Sequence, residues 1–347
     1  DAIRVFERAT RARPDQWILW FKLGLLYCGH EKFDSAVESL KRAVGLAPDL
    51  FDTHYKLAQV YDLLDRKDEA IEEYQKALKI YPLKLEIYAL LGNLYREKGD
   101  LDKAEGRYRL VIELMPKEVG GYLALAQIYL MQGKKKEAVD LLDKALSEGV
   151  ESPALHFYLG LSNAASGDHD KAVEAYTRAL QRGADADTVH FYRGGAFERL
   201  GRFEVAVEDF KKAIELTPNN DEAYIYLGYM YAEKGVRLDE AALLIGKALA
   251  IDPDNGAYVD SLGWVYYKQG KYREALETLM RAAKLVGDDP VVLEHLGDAY
   301  CENKLWKEAL NEWNRSLKLE PNNDVVRRKI EKLRSRLEIK PTAGAAG

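Results

Sequence analysis

Residues 51–84 read FDTHYKLAQVYDLLDRKDEAIEEYQKALKIYPLK, and this stretch decides the fold. Apolar side chains recur at three- and four-residue spacing from 55 to 64, which is typical of one face of an amphipathic helix. After a polar turn the same spacing returns from 70 to 78. Pro82 then ends the second helix, because proline lacks an amide donor and disfavours helix at the residue before it. The stretch therefore predicts a pair of amphipathic helices.

The pair repeats along nearly the whole chain at a period of 34 residues. A small residue stands at the eighth position of each unit and alanine at the twentieth, with one step of 35 residues in each series. The small residues are Gly24, Ala58, Gly92, Ala126, Gly160, Gly194, Gly228, Gly263 and Gly297, and the alanines are Ala36, Ala70, Ala104, Ala138, Ala172, Ala206, Ala241, Ala275 and Ala309. Small side chains let two helices approach closely, so the period predicts a stacked array rather than one globular core.

The repeated residues resemble the signature of a known family. The first complete unit carries Trp20-x2-Leu23-Gly24-x2-Tyr27, then Ala36, Leu40, Ala43 and Pro48. This order is similar to the tetratricopeptide repeat pattern, and the resemblance extends over about residues 1–323. It implies an all-α solenoid in which antiparallel helix pairs form a right-handed superhelix. Two C-terminal runs, which start at 258 and 293, look most like bacterial members of the family.

The phase of the period predicts the organisation of the chain. We expect the second helix of an incomplete N-terminal repeat over 1–16, a capping helix over 324–339 and a disordered tail over 340–347. An incomplete repeat would leave an apolar face open, so we expect the native protein to extend further toward the N-terminus. We expect nine repeats over 17–50, 51–84, 85–118, 119–152, 153–186, 187–220, 221–255, 256–289 and 290–323.

Composition narrows the classes of partner. The 347 residues carry a net charge of −6, whereas a nucleic-acid solenoid needs a basic stripe to neutralise phosphates. No apolar stretch approaches the roughly 20 residues of a membrane helix, so we expect no direct membrane insertion. Cys28 and Cys301 stand at the same repeat position at opposite ends of the array and say nothing about redox compartment. The cell envelope (periplasm) and the cytoplasm both remain open.

The resemblance also implies where a partner binds. In the family, first helices line a concave groove, and the second, fifth, ninth, twelfth and thirteenth positions of a repeat face it. The strongest candidates here are Phe21, Tyr55, Gln59, Asn93, Arg96, Gln127, Leu130, Met131, Phe157, Leu161, Tyr229, Trp264, Tyr267 and Asp298. The middle of this set is apolar, which is typical of a partner site. The alternative is that these side chains pack against neighbouring first helices and belong to the core.

Signals for catalysis are weak. The histidines are scattered, and His54, His156 and His190 fall at the fourth repeat position, which favours packing over metal binding. There is no phosphate loop, zinc spacing or nucleophile motif, so we expect no enzyme activity, metal or cofactor. The family's two-carboxylate clamp also does not match, because Asn93 lacks its lysine partner at Ala89. Binding of chaperone tails is therefore disfavoured.

One section departs from the repeat pattern. Asn163 replaces the usual aromatic residue, Arg193 replaces the usual leucine, and Gly195 lies within a helix. Polar residues at core positions need partners. One hypothesis is that Asn163 and Arg193 pair with each other or with Glu198 and form a softer joint. The alternative is a drifted repeat whose polar residues are satisfied locally.

These observations together favour a non-catalytic protein-interaction scaffold. Its partner would be an extended peptide or a protein surface held in the groove by apolar anchors around Leu130, Phe157, Leu161 and Trp264. Two alternatives remain open. The array could recruit substrate for a larger enzyme or assembly whose other domain precedes it, or it could self-associate through the open N-terminal half-repeat.

Overall fold

The computed structural model describes residues 2–338, which form twenty α-helices and no strand. The first eleven helices are α1 Ala2–Ala12, α2 Trp17–Cys28, α3 Phe33–Leu46, α4 Phe51–Leu63, α5 Lys67–Ile80, α6 Glu86–Glu97, α7 Leu101–Leu114, α8 Val119–Met131, α9 Lys135–Ser147, α10 Pro153–Ser166 and α11 His169–Gln181. The remaining nine are α12 Ala186–Arg199, α13 Phe203–Leu216, α14 Asp221–Lys234, α15 Leu238–Ile251, α16 Gly256–Lys268, α17 Tyr272–Val286, α18 Pro290–Glu302, α19 Trp306–Leu319 and α20 Asp324–Glu338. The prediction of an all-α repeat fold is confirmed. The predicted tail, 340–347, lies outside the described residues.

The chain divides into two compact units, Asp1–Arg182 and Gly183–Gly347. The first unit holds α1 to α11 and the second holds α12 to α20. Within each unit, consecutive helices pack as pairs and each pair stacks on the next. None of the helices over 2–338 is both long enough and apolar enough to span a bilayer.

Helix pairs close around a small residue on one helix and a large residue on the other. All nine alanines at the twentieth position are 0% exposed. A Cβ placed on Gly92 would lie 2.7 Å from Tyr108 Cε1, and one placed on Gly297 would lie 2.4 Å from Trp313 Cδ1. Because real Cβ atoms do not approach so closely, these glycines allow the large ring sixteen residues later to fill the interior of the pair.

The one 35-residue repeat takes its extra residue into the turn between α14 and α15. Gly235 ends α14 in the left-handed region at a φ of 67°, and Arg237 follows at a φ of 49°. Glycine enters this region without a steric penalty, so Gly235 ends α14 and the chain reaches α15 through the three residues 235–237. The insertion leaves both helices at 14 residues each.

Each polar residue of the unusual section has a hydrogen-bond partner within its own unit. Asn163 donates through Nδ2 to the Leu159 carbonyl within its own helix. Arg193 donates through Nε and Nη2 to the two carboxylate oxygens of Asp209, at 2.7 and 2.8 Å. Glu198 is exposed and lies 3.6 Å from Arg199. The hypothesis that Arg193 pairs with Glu198 is therefore wrong, because Asp209 lies opposite Arg193 in the same helix pair. The pairing of Asn163 with Arg193 stays a prediction.

Candidate functional site

The surface of the second unit that carries most aromatic and acidic candidate residues lies on α14, α16 and α18, which are the first helices of three successive repeats. Asn220 caps α14 by accepting from the Ala223 amide, and Asn255 caps α16 by accepting from the Tyr258 amide. Asp289 caps α18 by accepting from two backbone amides in its first turn. These caps satisfy donors that a helix start leaves unpaired, so the three helices begin at defined residues and present their side chains rigidly.

We call this surface the aromatic–acidic face. Its members are Tyr226, Tyr229, Glu233, Asp260, Trp264, Tyr267, Lys268, Glu294, His295, Asp298 and Glu302. Tyr226 is 56% exposed and Tyr229 is 37% exposed, whereas Trp264 and Tyr267 are half-buried. Exposed aromatic side chains on capped helices are typical anchors for a partner.

Trp264 is held by three neighbouring side chains of the face. Its indole stacks on His295, with 4.1 Å between ring centroids and 14° between ring planes. It also stacks on Tyr267 at 4.9 Å and 4°. The indole N–H donates to Glu233 Oε1 at 2.8 Å, which joins α16 to α14. These contacts fix the ring in one orientation, so little rotamer freedom would be lost on binding.

Three contacts join the fifth position of one first helix to the sixth position of the next, and we call them the cross-repeat pairs. Phe191 and Tyr226 meet edge to face at 5.2 Å. His295 Nδ1 donates to Asp260 at 3.0 Å. The cross-repeat pairs are Phe191–Tyr226, Asp260–His295 and Glu294–Lys329. Side chains at these positions therefore bond to the neighbouring helix; Tyr226 remains exposed, whereas Asp260 and His295 are buried.

Asp298 lies at the end of the face and is 7% exposed. It accepts from Trp313 Nε1 at 3.0 Å and from Lys329 Nζ at 2.6 Å. Burial raises the pKa of the Asp298 carboxyl, and the Lys329 ammonium opposes that rise. Asp298 thus joins α18, α19 and α20 and does not present a free surface carboxylate.

Two tyrosines of the face, Tyr229 and Tyr267, stay protonated. Burial, followed by the nearby carboxylates of Glu233 and Asp260, raises the pKa of Tyr229 to about 12. Burial, followed by the charges of Asp298 and Glu302, raises the pKa of Tyr267 as well. Both phenols therefore remain hydrogen-bond donors at neutral pH.

In the first unit, the N-terminal candidates make more local contacts. Phe21 lies 6.2 Å from Trp17, and Tyr55 stacks on Phe51 at 5.3 Å and donates to Glu86 at 2.5 Å. Gln59 accepts from its neighbour Lys56 at 2.8 Å. These three candidates are half-buried within helix-to-helix contacts.

Asn93 and Arg96 are linked through one tyrosine. Asn93 is exposed and accepts from Tyr108 at 2.7 Å. Arg96 is half-buried and lowers the pKa of the same tyrosine by a hydrogen bond, although burial of Tyr108 has the larger, opposite effect.

The apolar candidates of the first unit lie mostly below the surface. Met131 is 52% exposed, and Gln127, Leu130, Phe157 and Leu161 are half-buried. Leu130 packs against the hydrophobic core of the unit. Phe157 lies 5.9 Å from Tyr176, which is fully buried. Met131 is thus the most accessible residue of this group.

His295 and Lys329 belong to the site but stand at positions that the family pattern leaves out. His295 is at a sixth position, and Lys329 is on the capping helix α20. Each stands 35 residues, or one repeat plus one residue, after an acidic residue at a fifth position: His295 after Asp260 and Lys329 after Glu294. The sequence alone therefore contains a signal for both. In the part of the chain that the structure describes, no three His, Cys, Asp or Glu side chains form a metal-binding group.

Family models match most of the chain. The tetratricopeptide repeat model matches residues 1–51, 22–84, 89–155, 123–188, 157–221 and 193–256. The model of anaphase-promoting complex, cyclosome, subunit 3 matches residues 236–315. A TPR repeat-containing protein of Pseudomonas aeruginosa is 42% identical over 65 residues, which cover 19% of this chain and 11% of that protein. The match therefore spans about a tenth of the length of this relative.

Solved structures of similar architecture agree with the helix pairs. A chain of the APC/C hetero-tetramer Cut9–Hcn1 is 18% identical with a TM-score of 0.59, covering 91% of this chain and 75% of its own length. A tetratricopeptide repeat protein from Parabacteroides merdae is 18% identical with a TM-score of 0.57, covering 72% of this chain and 98% of its own. At such identities the likeness concerns the fold alone.

Proposed function

This chain belongs to the tetratricopeptide repeat family, and we propose that it is a non-catalytic scaffold that holds an extended segment of a partner protein along the aromatic–acidic face. Membership of the family supports protein–protein interaction as the general role. The choice of this face, and of an extended segment as its occupant, is the proposal.

The observation that carries the proposal is the exposure of Tyr226 and Tyr229 beside a fixed Trp264. The three rings supply a large amphipathic contact area on helices that need not rearrange. The edge-to-face contact of Tyr226 with Phe191 holds the most exposed ring in place. Preorganised aromatic anchors supply affinity because little conformational entropy is lost when they bind.

Polar groups between the rings would set the position of the bound segment. Glu233 accepts the Trp264 indole N–H at Oε1, and the neighbouring Tyr229 phenol, which hydrogen-bonds to Glu233, is a protonated donor. A partner backbone offers both donors and acceptors to such groups. The face therefore has the mixture of apolar anchors and spaced polar groups that binding of an extended segment requires.

The exposed Met131 and its half-buried neighbours Leu130, Phe157 and Leu161 form a second proposed contact surface, on the first unit. This surface carries apolar groups alone, so it would add affinity for a partner without selecting among partner sequences.

Photo-crosslinking tests the proposal. A benzoylphenylalanine at position 229, on the face, is compared with one at position 243, since Leu243 is 70% exposed on the second helix α15. We expect position 229 to crosslink to one segment of a partner protein in source-cell lysate, and Tyr226→Asp to abolish that product. Equal labelling from positions 229 and 243, or labelling that survives Tyr226→Asp, would rule the face out. Crosslinks to peptides of this same chain would indicate self-association instead.

A further inference from the structure

We infer that the segment bound by the aromatic–acidic face carries a lysine or arginine side chain, and this inference rests on the proposed function. The first observation is the charge of the face. Of its five carboxylates, Glu233, Glu294 and Glu302 are exposed or half-buried and Asp260 and Asp298 are buried, and its ammonium groups are those of Lys268 and the adjoining Lys329. Complementary charge selects a partner more strongly than it adds affinity, so the excess of carboxylates favours a cationic segment.

The second observation is that the chain itself places a cation on this surface. Lys329 Nζ reaches from α20 and donates to Glu294 Oε1 at 2.7 Å and to Asp298 Oδ2 at 2.6 Å. Its side chain is 27% exposed, so the ammonium is held in a partly dry site. One end of the face thus accommodates a lysine ammonium between two carboxylates, and a partner's cation would meet the same chemistry further along.

The third observation is that carboxylates remain unneutralised where the aromatic rings are exposed. Within residues 2–338, neither Glu233 nor Glu302 has an ion-pair partner, and both are exposed. Glu233 lies one helical turn from Tyr229, whose ring is 37% exposed. A cation placed here would meet a carboxylate and the face of an aromatic ring together, and both attract it.

The fourth observation concerns the segments that this arrangement rejects. An acidic segment would place like charges beside Glu233 and Glu302 and would be repelled. The apolar first-helix surface of the first unit, around Met131, has no such carboxylates among its candidate residues. Selection for a cation is therefore a property of the second unit's face.

Selection from a random peptide library displayed on phage tests the inference without knowledge of the natural partner. Wild type is compared with Glu233→Gln/Glu302→Gln, which removes two exposed charges while the amide oxygen introduced at position 233 can still accept the Trp264 bond. The matched control is Glu208→Gln/Glu277→Gln, since both residues are exposed at the same repeat position on second helices of this unit. We expect lysine and arginine to be enriched in peptides recovered by wild type and by the control, and not by the face variant.

The outcomes separate the inference from the proposed function. Peptides that are recovered without enrichment of lysine or arginine, yet are lost with Tyr226→Asp, would overturn the inference and leave the scaffold proposal standing. Equal enrichment by wild type and the face variant would also overturn the inference. Failure to recover any peptide would count against both.

The affinities of two isosteric peptides measure how much the charge of the bound side chain contributes to binding. The best recovered peptide is synthesised with arginine and with citrulline, which keeps the shape of the side chain and removes its charge. We expect citrulline to weaken binding about fivefold at low salt, from one exposed ion pair and one cation–π contact. Added salt should shrink the difference, because exposed charges are screened. Equal affinities of the two peptides would refute the inference.

Discussion

His54 Nδ1 lies 2.5 Å from Glu73 Oε2, with both side chains buried between α4 and α5. The second unit repeats this arrangement nineteen residues apart, where His190 Nδ1 lies 2.7 Å from Asp209 Oδ1. A histidine at the fourth position of a first helix is thus held by a carboxylate on the second helix. The sequence predicts that these histidines serve packing rather than metal binding. In the structure, His54 and His190 each pack as one member of a histidine–carboxylate pair.

The third such histidine lacks its carboxylate. His156 is 3% exposed, and Ala175 stands nineteen residues later. Neither ring nitrogen of His156 has a hydrogen-bond partner within the described residues. Burial lowers the pKa of His156, and the charge of Arg182 lowers it further.

We predict that His156→Leu stabilises the protein by about 1–2 kcal/mol at neutral pH, because it removes two unsatisfied buried nitrogens. The gain should grow in acid. The folded pKa lies below the ordinary 6.5, so the unfolded chain binds its proton first and wild-type stability falls as the pH drops below that value. Thermal melts across this range would measure both effects.

Two further variants check the interpretation. His30→Leu replaces an exposed histidine and serves as the matched control for the loss of one imidazole. Ala175→Asp should raise Tm only when His156 is present, because it supplies the carboxylate that the other two pairs have. A loss of Tm that is the same with and without His156 would show that the site cannot accept the pair.

Asp209 is expected to be among the most sensitive polar residues of the second unit. It is 4% exposed and accepts from both Arg193 and His190. Asp209→Asn would leave the Arg193 guanidinium facing a neutral amide, and we expect a loss of about 2–3 kcal/mol in the free energy of unfolding. Urea denaturation followed by circular dichroism would measure it. Glu208→Gln, one residue earlier and exposed, should change stability by less than about 0.5 kcal/mol.

Substitution by alanine should lower the free energy of unfolding at Gly297 and raise it at Gly195. A Cβ on Gly297 would lie 2.4 Å from Trp313 Cδ1, so Gly297→Ala should cost about 1–3 kcal/mol by overpacking. A Cβ on Gly195 meets nothing within 4 Å, so Gly195→Ala should gain up to about 1 kcal/mol from helix propensity. Unfolding free energies of the two single variants give the comparison, and a matching sign would contradict the packing argument.

Lys329→Met should loosen the capping helix. The substitution removes the ammonium from buried Asp298, whose pKa is already raised by burial, and we expect a loss of about 2–3 kcal/mol at neutral pH. A raised folded pKa means that the folded carboxyl keeps its proton longer than the unfolded one, so the loss should shrink as the pH falls toward about 4, the ordinary range of a carboxyl. Proteolysis of α20 and melts at the two pH values would follow the change. A loss independent of pH would mean that the methylene stem of Lys329 matters more than its charge.

The repeat period predicts the packing within helix pairs because that packing has strict size requirements. The small eighth position and the large residue sixteen later, such as Gly92 and Tyr108, are both readable in the sequence. The candidate binding residues are harder to predict because their exposure depends on the neighbouring first helix. Asp298 illustrates this: its position suggests a groove residue, but Trp313 and Lys329 cover it.

Arg193 marks another limit. The departures from the repeat pattern suggest Asn163 or Glu198 as its partner, whereas the helix pair places Asp209 opposite it. The spacing of sixteen residues is the same as that between a small eighth position and its large partner. The spacing of sixteen residues therefore predicts Asp209 as the partner of Arg193.

The cross-repeat pairs allow the contacts between repeats of the second unit to change during evolution one pair at a time. Each pair joins residues 35 positions apart, which is one repeat plus one residue, so exchange of a single pair such as Glu294 and Lys329 changes the chemistry of a partly exposed contact between neighbouring repeats. Duplication of a whole repeat would regenerate such pairs intact, whereas a partial duplication would separate their members. New binding preferences could thus arise one contact at a time while the stack that displays them stays the same.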